Sequence, residues 1–137
     1  MTTTTTRKAI ANFCVDSRLE GLRGALEHLL DVDDIYRFKL AGPDGVWTLP
    51  ELETEKIGNI AGIKRLDAKL GGAQAFAIVG HTHCAGHAVS DDEHRDAIKQ
   101  SAQEMKRVLE ATVPVHAILA ERGARDDLWK FHELAVY

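Results

Sequence analysis

Five residues in two short stretches have side chains that could act together on one reactive centre. Cys14-Val15-Asp16-Ser17-Arg18 offers a thiol, a carboxylate and a guanidinium. Gly80-His81-Thr82-His83-Cys84 offers a second thiol and an imidazole. Two thiolates and one imidazole are a sufficient first shell for catalytic zinc, with the fourth position left to water or a carboxylate. Cys14, His81 and Cys84 are therefore the candidate metal ligands, and the chain has no other cysteine. His83 could substitute if the His81 ring turned away. His87 reads as a solvated loop residue, His94 as part of a polar helix face, and His28, His116 and His132 as unconnected with the site.

Both stretches follow apolar runs that read as strands. Residues 9–15 form a short, mostly apolar run, and residues 75–79 are apolar without a break, the mark of a strand covered on both faces. Between them, Leu19, Leu22, Leu26, Leu29 and Leu30 recur at helical spacing, and residues 35–40 alternate like a strand. A turn over residues 41–45 is followed by a helix from Pro50 to about Leu70, stopped by Gly71-Gly72. After a loop from Gly80 to Gly86, Ser90 and Glu93 have capping-box spacing at the head of a helix that turns Ala97, Ile98, Ala102, Met105, Val108 and Leu109 inward. Residues 115–119 are a fourth strand, 122–127 a polar turn, and 128–136 a last strand paired as a hairpin.

This alternation predicts an α/β fold: a three-layer arrangement around a mostly parallel sheet, order 2-1-3-4, with an antiparallel edge strand. Residues 1–8 are expected to be a flexible N-terminal segment and 9–137 a single domain. In such sheets ligands bind beyond the carboxyl ends of the strands, where the winding changes direction. With that strand order, Cys14 and the His81–Cys84 loop meet at the switch point, and Gly80 and Gly86 let the backbone bend closely around it.

The bulk composition narrows the field. A chain of 137 residues with 45% apolar and 28% charged residues is an ordinary single globular domain. A net charge of −4 argues against nucleic-acid binding, which would want a basic face. No apolar stretch approaches the ~18 residues of a transmembrane helix. Residues 1–8, Met, five Thr, Arg7 and Lys8, lack the apolar segment of a secretory signal, so a cytoplasmic protein with reduced cysteines is expected.

The paired motifs resemble those of the β-class carbonic anhydrases. The family's C-x-D-x-R is matched by Cys14, Asp16 and Arg18, and its H-x-x-C by His81 and Cys84, within a loop that shares Gly80, Thr82 and Gly86. Element order extends the resemblance over residues 9–136. Two stretches depart from the pattern: Lys39-Leu40-Ala41-Gly42 stands where R-N-A-G is usual, and Ala85 intervenes before Gly86.

The resemblance implies a Zn²⁺ enzyme that hydrates CO₂ reversibly to bicarbonate and a proton, through a water whose pKa the metal lowers. It implies that Asp16 accepts the hydroxide's hydrogen and that Arg18 keeps Asp16 ionised and fixed. In a closed state Asp16 would itself be the fourth ligand. Two thiolates offset the cation's charge, so activity should rise with pH. A homodimer or higher homo-oligomer acting on a small-molecule substrate follows from the same resemblance. Similar family members hydrolyse carbonyl sulfide or carbon disulfide, and a non-catalytic zinc-binding module is a further alternative.

Overall fold

A computed structural model describes residues 6–15, 19, 23–122 and 129–137. Asp16, Arg18, residues 1–5 of the expected N-terminal segment, most of the expected helix start at 19–22 and residues 123–127 of the polar turn lie outside the described residues.

The chain runs β1 (Lys8–Cys14), α1 (Arg23–Leu30), β2 (Asp34–Leu40), α2 (Pro43–Thr48), α3 (Glu53–Leu70), β3 (Ala75–His81), α4 (Asp91–Val108), β4 (Val115–Arg122) and β5 (Trp129–Val136). A single 3-10 turn, Pro50–Leu52, leads into α3. The strands form one sheet in the order β2-β1-β3-β4-β5. Its first three pairings are parallel and the β4–β5 pairing is antiparallel. The expected order and the antiparallel edge are both present.

Local chemistry explains the boundaries. Gly71 closes α3 at φ 76°, a left-handed position that suits glycine at a helix C-terminus. Ser90 accepts from the Glu93 amide while the Glu93 carboxylate returns to the Ser90 amide, so α4 starts with a complete capping box. β4 runs on to Arg122, past the strand end expected at 119, and two boundaries nearer the site also differ from the sequence reading. Gly80 and His81 are the last residues of β3 and not part of a loop, because β4 continues to pair beside them. The turn at residues 41–45 is also the start of α2, a helix of 6 residues with Pro43 in its first turn, too short to show periodicity.

Side-chain alternation sends the two faces of the sheet to different cores. Ala9, Ala11, Ala75, Ala77 and Val79 pack with Leu26 and Leu30 of α1. Ile10, Phe76 and Ile78 pack with Trp47, Ile63, Ile98, Ala102 and Met105 from α2, α3 and α4.

One polar residue interrupts the second core. Asn12, fully buried in β1, exchanges amide hydrogen bonds with Asn59 of α3 at 2.8 and 2.9 Å and accepts from the Trp47 indole at 2.7 Å. This clamp fixes α2 and α3 against the sheet. Replacing Asn12 with Ala orphans two donors and an acceptor in an apolar layer, and should destabilise the fold by about 2–4 kcal/mol. Urea unfolding checks this; a loss below ~1 kcal/mol would mean that the clamp contributes little.

Candidate metal centre

Parallel pairing brings the ends of neighbouring strands to one edge of the sheet. β1 ends on Cys14 and the adjacent β3 ends on His81, with Asn12 facing Ile78 across the ladder just before both ends. Beyond β3 the Thr82 amide donates to the Ala120 carbonyl at 3.1 Å, and the Thr82 hydroxyl accepts from the Arg122 amide at 3.1 Å. His83 then takes a left-handed conformation, φ 55°. That conformation costs roughly 1–2 kcal/mol in a residue with a Cβ, and it turns the chain so that Cys84 comes back toward Cys14. The His83 side chain is exposed, so the structure presents His81, not His83, beside the cysteines.

The next turn is pressed against the β2–α2 connection. A Cβ on Gly86 would lie 2.5 Å from the Ala41 carbonyl carbon, and one on Gly42 would lie 2.7 Å from the Gly86 carbonyl carbon. Only two glycines let these backbones meet, and their contact fixes the loop that carries Cys84.

The result is a compact, buried cluster. One ligand atom from each of Cys14, His81 and Cys84 lies within 4.8 Å of the others, and all three residues are buried. The two sulfurs are 3.8 Å apart, and both cysteines are free thiols. His81 Nδ1 is 2.8 Å from the Thr82 carbonyl oxygen. A carbonyl can only accept, so Nδ1 carries the proton and Nε2 presents the lone pair, the tautomer a metal ligand needs. The Trp129 and His81 rings pack in a T-shaped arrangement, 5.9 Å between centroids.

Electrostatics and spacing both suit a soft divalent cation. The hydrogen bond with Cys14 and then burial push the Cys84 thiol well above its ordinary pKa, although backbone amides of His87 and Gly86 donate to its sulfur. Two buried thiols in contact cannot both ionise unaided, and a cation between them removes that obstacle. Sulfurs bound at about 2.3 Å to one tetrahedral zinc ion lie about 3.8 Å apart. The observed separation therefore already fits the ion. A cleft of about 430 Å³, lined by His83, Cys84, Ala85, Ala88, Val89 and Asp91, opens beside Cys84.

Two sequence expectations need correction here. His87 is not a solvated loop residue but 8% exposed, and His94 is not on a polar face but 1% exposed. Both rings are within hydrogen-bonding distance of the buried carboxylate of Asp44. For His94 a signal was available, since it stands four residues before the buried Ile98 and so shares its stripe. For Asp44 there was none, because Pro43-Asp44-Gly45 reads as an ordinary turn.

Comparison with known proteins agrees with this architecture. A family model described as "Putative carbonic anhydrase" matches residues 4–125. Among solved structures, a carbonic anhydrase from Glaciozyma antarctica superposes with a TM-score of 0.61 at 17% identity, covering 95% of this chain and 82% of that one. At that identity the likeness speaks for the fold. No curated protein matches the sequence.

Proposed function

We propose, from the premise that this chain belongs to the carbonic anhydrase family whose model spans residues 4–125, that it catalyses the reversible hydration of CO₂ to bicarbonate and a proton. The observation that carries this reading is the set of Cys14, His81 and Cys84 donors, with sulfurs 3.8 Å apart, at the ends of adjacent parallel strands. Those three residues would hold Zn²⁺, which when bound supplies Lewis acidity and activates water near neutral pH.

The chain's own residues do the rest. The Thr82 carbonyl keeps the proton on His81 Nδ1 and the ring in place. The Gly86 and His87 amides donate to the Cys84 sulfur and so favour its thiolate. Asp16 would accept a hydrogen bond from the attacking oxygen and aim its lone pair at CO₂, and Arg18 would hold the Asp16 carboxylate charged and oriented. Ala85, Ala88 and Val89 give the adjoining cleft apolar wall, suited to an uncharged substrate. The same reading includes a homodimer or higher homo-oligomer acting in the cytoplasm. Among the described residues no helix is long and apolar enough to cross a membrane.

Stopped-flow CO₂ hydration on zinc-quantified protein tests the proposal, with sulfide release from carbonyl sulfide and carbon disulfide measured beside it. Turnover of CO₂ well above the sulfur compounds is the expected result. Faster sulfide release would reassign the substrate, and stoichiometric zinc without turnover on any of the three would make the chain a zinc-binding module.

A further inference from the structure

On the other side of the β3 end from His81, three buried side chains form a second donor cluster. Asp44 comes from α2, His87 from the β3–α4 loop and His94 from the first turns of α4; they are 0%, 8% and 1% exposed. Asp44 Oδ2 is 2.9 Å from His87 Nδ1 and 2.7 Å from His94 Nδ1, and the two rings stand nearly perpendicular, 5.4 Å between centroids. The three ligand atoms all lie within 4.8 Å of one another. Gly80 runs beside the cluster: a Cβ there would be in ordinary contact with the Asp44 carboxyl carbon at 3.7 Å, while Ile98, 2.5 Å away, is the side chain that the glycine makes room for.

We propose that Asp44, His87 and His94 form a second metal site, separate from the cysteine site, for a borderline divalent cation of the zinc class. The donor set is two imidazoles and one carboxylate, which suits zinc or ferrous iron better than calcium or magnesium. Bonding capacity is left over at the cluster. Asp44 Oδ1 and His94 Nε2 are buried and make no hydrogen bond among the described residues. A carboxylate that accepts only on one oxygen in an apolar layer has its other lone pairs unspent, and a cation can take them.

The spacing is close to what coordination requires. Nitrogen and oxygen ligands at about 2.0–2.1 Å from one tetrahedral ion lie roughly 3.3 Å apart. The observed 2.7 and 2.9 Å separations would need to open by only about half an ångström. Each ring stays neutral on binding, its proton on the nitrogen turned away from the ion, and Asp44 enters as the carboxylate. Burial pushes the Asp44 carboxyl up, but the His94 and His87 hydrogen bonds and charges outweigh it and hold Asp44 below its ordinary pKa. A cleft of about 230 Å³ lined by His87, Thr48, Val89, Glu93, Asp96 and Gln100 reaches the cluster and gives access to an ion and its remaining water ligands.

Cobalt titration of chelator-stripped protein tests this independently of the proposed enzyme activity. Wild type should take up two equivalents of Co²⁺, one with the thiolate-to-metal charge-transfer band and one without it. Asp44→Asn and His94→Gln should each weaken the second by more than about 100-fold while keeping the charge-transfer band. Cys14→Ser with Cys84→Ser should lose the band and keep the nitrogen–oxygen spectrum. The two sites therefore fail separately. A single equivalent in wild type, all of it in the charge-transfer band, would overturn the proposal and leave a hydrogen-bonded cluster only. So would a second equivalent that Asp44→Asn and His94→Gln both leave unchanged. The wild-type titration decides even where a variant does not fold.

Discussion

Cys84→Ser is expected to abolish CO₂ hydration and to remove the metal that carries it. Loss of an outer partner of a zinc ligand costs ~10–100-fold in affinity, and loss of a ligand costs more. Serine is nearly the same size and its hydroxyl can still bond to Cys14, so folding should change by less than about 2 kcal/mol. That separates the prediction from simple unfolding. Cys84 is 3% exposed and its sulfur receives two backbone amides, so the position of the sulfur is built into the loop. Occupancy of the cysteine cluster would be read from the sulfur charge-transfer band of the cobalt-substituted protein, which only thiolate ligands give, and zinc from elemental analysis. Retained signature and retained turnover would show that Asp16 or His83 fills the position. The exposed, left-handed His83 makes the second of these demand a rebuilt loop.

Much of this centre was legible in the sequence because strand ends are where covalent order and spatial order coincide. The unbroken apolar run of residues 75–79 marked a central strand, and its burial on both faces is what the structure shows. Once β1 and β3 are neighbours, Cys14 and His81 have nowhere else to go. The α4 start was equally readable, since a capping box is a local hydrogen-bond pattern written in two residues. What was not legible depended on contacts between distant elements. Asn12 looks like a flaw in an apolar run until Asn59, 47 residues on, supplies the matching amide. Asp44, His87 and His94 sit on three elements, and only the packing of α2 on α4 brings them together. The Gly42–Gly86 contact is another such case, two glycines that read separately as turn residues and meet as one interface.

That same dependence on position bears on the last expectation, for Asp16→Asn. Asp16 follows the candidate ligand Cys14 by two residues in the sequence. Asparagine preserves the shape of the side chain but replaces a charged hydrogen-bond acceptor with a neutral amide that the Arg18 guanidinium cannot hold in the same way. With Cys14, His81 and Cys84 intact, the variant should keep its zinc while kcat/KM for CO₂ hydration falls by about 10²–10⁴-fold, the range for loss of a side chain positioned on the transferring proton. On the proposed pairing of Asp16 with Arg18, the loss should not add to that of Arg18→Lys: the double variant should be no slower than Asp16→Asn alone. Stopped-flow rates across pH, normalised to bound zinc, distinguish the outcomes. Full activity would remove Asp16 from the chemistry. Loss of zinc together with activity would instead make Asp16 a ligand, as in the closed state, and the thiolate–imidazole set would then need its carboxylate to hold the ion at all.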